Sequence, residues 1–147
     1  GPVYALGISM GGCVAVQYAA IDGRCEGVLA VAPPAGIEEI ARHMYPLLSE
    51  QDIAAAVARA GEIGSFDPAE ASAVDAAREL RCPLILVHGK LDLLVPFEDS
   101  RAIYEAAAGP KRLFPRPIAG HATILLGIES WAIDYLNMLA RGEVEAN

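Results

Sequence analysis

Apolar positions along the chain keep two different rhythms. Runs at 2–8 (PVYALGI), 27–32 (GVLAVA) and 83–89 (PLILVHG) read as short strands, and unbroken runs are the mark of strands covered on both faces. A fourth strand, 111–115 (KRLFP), carries Pro115, which has no N–H to donate and so suits a sheet edge. Between them lie helical stretches. Gly12 to Ala20 is rich in Ala and Val with Gln17 its only long polar side chain, and it reads as a buried helix. Ile37, Ile40, Ala41, Met44 and Leu48 recur at three and four, giving one apolar helix face. A further helix runs from about Asp52 to Ala60, and Asp67-Pro68-Ala69-Glu70 has the aspartate cap, first-turn proline and following glutamate of a helix start, with Leu80 closing the section. Glu98 to Ala107 is amphipathic, and the last helix is expected over 122–140, with Ile124, Leu125, Ile128, Ala132, Tyr135, Leu136 and Leu139 on one face.

Strands alternating with helices predict an α/β fold with a parallel sheet of about four strands flanked by helices. The stretch 36–80 is longer than one crossover helix requires. It reads as a short helical insertion, a cap over the sheet, inside a single domain spanning 1–147.

Composition narrows the class. With 54% apolar and 20% charged residues in 147, the chain has ample core material for one domain, which excludes disordered, collagen-like and disulfide-framework classes. A net charge of −8 without a basic run argues against nucleic-acid partners, whose phosphates require Lys and Arg. No apolar stretch approaches the ~20 residues of a membrane helix, and the first residues lack a signal-peptide pattern. Cys13, Cys25 and Cys82 show neither disulfide-framework nor metal spacing, so they read as reduced packing residues in a cytoplasmic setting. The chain opens at Gly1-Pro2 without Met and enters a strand at once. Residues added ahead of the domain and the later part of a longer protein both account for this.

Candidate chemistry centres on Gly7-Ile8-Ser9-Met10-Gly11, a G-x-S-x-G sequence between an expected strand and an expected helix. A serine on that turn stands clear of the sheet, the flanking glycines leaving room for the chain reversal, and the next backbone N–H, that of Met10, faces an oxyanion. A serine nucleophile needs a base, and the base needs a carboxylate to set its tautomer. Asp92 follows the third strand and His121 the fourth, in the order and at the strand ends where three distant residues converge. Taken singly, Ser9 also suits a plain glycine turn, Asp92 the capping of the helix after Pro96, and His121 a helix start. The joint order favours the triad. Asp99 is the runner-up acid, although it falls inside an expected helix; His88, which precedes the acid, reads as packing at a strand end and at most supports the site without touching substrate, and His43 lies on the exposed insertion.

With these motifs, Gly7-Ile8-Ser9-Met10-Gly11-Gly12, Cys82-Pro83-Leu84-Ile85-Leu86-Val87-His88-Gly89-Lys90-Leu91-Asp92 and Gly120-His121, the chain from Val3 to Leu139 resembles the α/β-hydrolase family, from its nucleophile turn onward. The resemblance implies Ser9 as nucleophile, His121 as general base and then acid, Asp92 as orienting carboxylate and Met10 as one oxyanion donor. It implies a cofactor-independent serine hydrolase, carboxylesterase-like, acting on small ester-type substrates through an acyl-enzyme. Thioesters, amides and C–C bonds are cleaved by the same triad in this family. Ile37, Ile40, Met44, Leu47 and Phe66 of the insertion are candidates to line the substrate site, and a core role suits them at least as well. No metal spacing and no nucleotide-binding glycine motif occurs in the sequence.

The family's fold has about eight strands, and the strand beside the nucleophile strand, together with the loop carrying the other oxyanion donor, precedes the motif. Neither is in this sequence. The edge Val3-Tyr4-Ala5-Leu6 is therefore expected to pair with a second copy, as a homodimer, or with an upstream segment. The alternative function is a catalytically silent module that uses this edge for assembly.

Overall fold

A computed structural model of the chain describes residues 1–144. Strands β1 (Val3–Ile8), β2 (Cys25–Val31), β3 (Leu84–Gly89) and β4 (Lys111–Arg116) form one all-parallel sheet in the order β1-β2-β3-β4. The helices are α1 (Met10–Ile21), α2 (Ile37–Met44), α3 (Glu50–Gly64), α4 (Ala73–Glu79), α5 (Phe97–Ala106) and α6 (Ile128–Ala140). This is the expected α/β architecture of four parallel strands flanked by helices.

Alternation along the central strands builds two cores. Val28, Ala30, Leu84 and Leu86 pack against Cys13, Val16 and Ala19 of α1, Ala73 and Ala77 of α4, and Ile103 of α5. Leu29, Val31, Ile85 and Val87 face the other way, against Ile124 and against Ala132 and Leu139 of α6. All eight strand positions are fully buried, each Val, Leu or Ile side chain among them contributing about 1.5–3 kcal/mol by leaving water. Small side chains on α1 let it lie close to the sheet. Its outward stripe of Met10, Val14, Tyr18 and Ile21 stays exposed.

Pro115 lies in β4, at one edge of the sheet, as its missing N–H suggested. At the other edge β1 has no further strand beside it among the described residues, and Val3 and Leu6 are 41% and 45% exposed.

Several boundaries depart from the apolar pattern. β2 starts at Cys25 rather than residue 27, because a register shift between Val3 and Tyr4 leaves Glu26 bulged out to solvent. The first amphipathic insertion helix ends at Met44, so Leu48 lies outside it, and α3 begins after its cap Ser49, whose Oγ accepts the Asp52 N–H. Asp67 caps only a 3-10 turn, Pro68–Glu70, and the helix proper restarts at α4 with Ser72 as its cap. The expected helix over 122–140 is broken: Thr123–Leu125 is a 3-10 turn, and α6 starts after Gly127, which has φ 70°. Apolar spacing continues unchanged across that break, which conceals it. No helix among the described residues is long and apolar enough to cross a membrane.

Candidate active site

β1 ends at Ile8 and α1 begins at Met10, so Ser9 alone reverses the chain. Its φ of 53° and ψ of −125° put a side-chain-bearing residue where few are found, at a cost of about 1–3 kcal/mol. The surroundings hold it there: Ser9 N–H donates to the Val31 carbonyl at 2.7 Å, and the Ser9 carbonyl accepts from Gly12 N–H at 2.8 Å. A Cβ on Gly7 would lie 1.9 Å from the Gly11 carbonyl oxygen, and one on Gly12 would meet Pro33 at 3.1 Å. Gly11 differs from expectation. A Cβ there meets nothing within 4 Å among the described residues, because the crowding arises where the Gly7 backbone passes beneath that of Gly11, and only the lower residue lacks room.

Asp92 sits in the loop after β3 with its side chain withdrawn from solvent. Its Oδ1 accepts the N–H groups of Leu94 and Val95, both at 2.9 Å. This leaves Oδ2 for His121, whose Nδ1 lies 2.7 Å away. A carboxylate only accepts, so Nδ1 carries the proton and Nε2 presents its lone pair. Nε2 lies 3.0 Å from Ser9 Oγ, which donates to it. The three side chains, all beyond the carboxyl ends of parallel strands, thus form one hydrogen-bonded line.

The two loops that bring Asp92 and His121 together are stitched by their backbones. Lys90 N–H donates to the Arg116 carbonyl at 2.9 Å, and Leu91 N–H to that of Ala119 at 3.0 Å. Gly120 N–H in turn donates to Thr123 Oγ1 at 2.8 Å, which turns the chain just before His121. Sequence reasoning passed over this stitch. Its signal was present in the glycines, since a Cβ on Gly89 would lie 2.2 Å from the Ala119 carbonyl oxygen.

The other candidates stand apart from the line. Asp99 lies in α5 and accepts the Ala35 N–H at 3.0 Å; burial, more than neighbouring charge, raises its pKa. His43 is exposed, and its Nε2 meets the Leu93 carbonyl at 2.8 Å, tying the end of α2 to the acid loop. His88 is fully buried behind Asp92. The Met10 N–H, first in α1, belongs to the N–H groups a helix leaves without an internal acceptor.

The candidates for an apolar lining take different places. Ile40 is buried in the fold, and Leu47 is 98% exposed. A groove of about 380 Å³ beside Asp92 is lined instead by His43, Lys90, Leu93, Phe97 and Arg101 among others, and a smaller one flanks the His121 loop at Arg116, Ile118, Leu126 and Trp131. None of Ile37, Ile40, Met44, Leu47 and Phe66 lines either groove. The insertion's helical period reported which side of each helix is apolar, and packing within the insertion uses part of it. Among the described residues no group of three or more His, Cys, Asp or Glu is placed to hold a metal ion.

No family model matches the chain, and no curated protein matches it in sequence. Solved structures do match. Acetyl xylan esterase 1 from Thermoanaerobacterium superposes with a TM-score of 0.71 at 18% identity, over 94% of this chain and 45% of that one. Est1E from Butyrivibrio proteoclasticus gives 0.68 at 20% identity, over 96% and 62%. An acylaminoacyl peptidase from Pyrococcus horikoshii gives 0.64 at 14%, over 86% and 21%. The fold is therefore the one these structures share, from the strand that leads into Ser9 onward, and the chain spans about half the length of the esterases it matches.

Proposed function

We propose that this chain is the nucleophile-to-histidine part of a serine hydrolase that cleaves carboxylic esters. The observation that carries the reading is the line from Ser9 Oγ to His121 Nε2 at 3.0 Å and from His121 Nδ1 to Asp92 Oδ2 at 2.7 Å. Esterases among the structures of the same fold favour esters as the substrate class.

In this mechanism His121 Nε2 takes the Ser9 proton as Oγ bonds to the ester carbonyl carbon. Negative charge on the carbonyl oxygen is met by the Met10 N–H at the positive end of α1. Asp92 holds the resulting imidazolium through Nδ1–H, without accepting its proton. The imidazolium then protonates the departing alkoxide, and the acyl group remains on Ser9. Water, giving its proton to Nε2, attacks the acyl carbon and releases the acid, with the proton returned to Ser9.

Labelling with a fluorophosphonate tests the reading. Stoichiometric modification of the folded protein, absent in Ser9→Ala, is the expected result. A folded protein left unlabelled overturns it and favours the second reading, a silent module that acts through assembly.

That second reading draws on the open outer edge of β1 and the apolar stripe of α1 beside it. In the catalytic reading the same edge has a partner, either a second copy or a strand from upstream, that extends the sheet. Residues 36–80 are proposed as a helical insertion within one domain, in which α2 and α3 form the short cap while α4 packs into the core beside α1. The three free cysteines suit a reducing, cytoplasmic compartment.

A further inference from the structure

Of the three histidines one is fully buried, and the mechanism does not use it. His88, near the end of β3, has no exposed surface, stands edge-on to the Phe97 ring at 5.8 Å, and engages partners through both nitrogens. Nε2 lies 3.0 Å from the Val95 carbonyl oxygen. A carbonyl only accepts, so Nε2 carries a proton. Nδ1 lies 2.6 Å from Oγ of Ser100, which is itself fully buried on α5. Burial holds the ring below the ordinary histidine range, so it is neutral, and the Ser100 hydroxyl donates to the bare Nδ1. The protonated Nε2 also lies 3.4 Å from Asp92 Oδ2, the oxygen that accepts from His121.

The consequence is a closed circuit around the acid. Val95 is held at both ends, its N–H on Asp92 Oδ1 at 2.9 Å and its carbonyl on His88. A packing residue of similar volume would leave the Val95 carbonyl and the Ser100 hydroxyl without these partners, in a region closed to water. The circuit also joins three separate elements, β3, the acid loop and α5, at the carboxylate.

We propose that His88 is a positioning residue for Asp92. Its Nε2–H, donated to Val95 O at 3.0 Å, locks the 92–95 turn, and the same nitrogen, 3.4 Å from Asp92 Oδ2, backs that oxygen where it meets His121, while Ser100 selects the tautomer that permits this. The catalytic consequence rests on the serine-hydrolase reading; the hydrogen-bond geometry does not.

The experiment combines imidazole ¹⁵N–¹H NMR of the whole chain with p-nitrophenyl acetate kinetics. In the parent at neutral pH, His88 is expected as the neutral Nε2–H tautomer, and His121 as a downfield Nδ1–H resonance. In His88→Leu the His121 resonance is lost, and kcat falls about 10²-fold through misplacement of Asp92, with KM within about two-fold of the parent because ground-state binding is untouched. His88→Gln, whose terminal amide N–H reaches Val95 O, recovers the resonance and most of kcat. Where His88→Leu does not fold, Ser100→Ala serves: freed of its donor, Nδ1 competes for the ring proton, the Nε2–H signature weakens, and the His121 resonance and kcat fall with it. An imidazolium or an Nδ1–H tautomer at His88 in the parent overturns the proposal. So does a folded His88→Leu or Ser100→Ala that keeps the His121 resonance and the parent kcat. Failure of the hydrolase reading looks different: both histidine signatures are as expected, and Ser9 takes no fluorophosphonate.

Discussion

A Cβ placed on Gly89 would lie 2.2 Å from the Ala119 carbonyl oxygen. The contact is where the loop after β3 and the loop after β4 touch, one position before the first of the two backbone bonds that stitch them. Asp92 and His121 stand on opposite sides of that seam. Their 2.7 Å hydrogen bond therefore depends on an absent side chain three residues from the acid.

Gly89→Ala is expected to pry the loops apart. A displacement of about 1 Å between reacting groups costs on the order of 10²-fold in rate, so the fluorophosphonate labelling rate of Ser9 should fall by about that factor. A labelling rate equal to the parent's would show that the seam does not position the line.

The glycines of the serine turn should part company in stability. Gly7→Ala places its methyl 1.9 Å from backbone and should prevent folding or lower Tm sharply. Gly11→Ala has open space and gains about 0.8–1 kcal/mol of helix propensity, so its Tm should rise. Thermal unfolding by circular dichroism decides both, and a destabilised Gly11→Ala contradicts the geometry.

The acid is assigned by a pair of variants. Asp92→Asn should lower p-nitrophenyl acetate turnover by ~10⁴ through loss of the correct histidine tautomer, while Asp99→Asn, whose carboxyl holds the Ala35 N–H away from the line, should leave it unchanged. The reverse pattern moves the acid to Asp99.

Asp99 makes its own prediction about stability. Burial raises its carboxyl pKa in the folded chain above the ordinary 3.8, with Glu39 and Glu98 adding to the shift and the Ala35 N–H and His43 opposing it. Between the unfolded and folded values the native state holds the extra proton, so stability falls as pH rises through that window and is level above it. Asp99→Asn keeps an acceptor for Ala35 and should remove this slope. Urea midpoints measured from pH 4 to 7 check it; an unchanged slope in the variant refutes the assignment.

The edge of β1 gives the last expectation. If a second copy pairs with Val3–Leu6, light scattering at micromolar concentration should return more than the 15.4 kDa of one chain. Leu6→Lys, placing a charge at a position that is 45% exposed, should dissociate the assembly. A monomeric parent rules out pairing between copies.

What the sequence determined by itself is local. Unbroken runs at 27–32 and 83–89 marked strands buried on both sides, Pro115 marked an edge, and alternation with helices implied the parallel sheet, because period and proline chemistry are properties of neighbouring residues. The same reading placed Ser9, Asp92 and His121 after strands, since parallel strands send all their following loops to one end of the sheet. Tertiary structure decided what depends on register. Only the pairing of β3 with β4 brings Gly89 against Ala119 and closes Asp92 on His121, across 29 residues. Only the packing of α5 against β3 shows that His88 is clasped by Ser100 and Val95. The break at Gly127 was hidden because apolar spacing persists through it, and the freedom of Gly11 because glycine is written alike whether or not it is crowded. In each case the deciding contact lies outside the few residues over which a periodicity can speak.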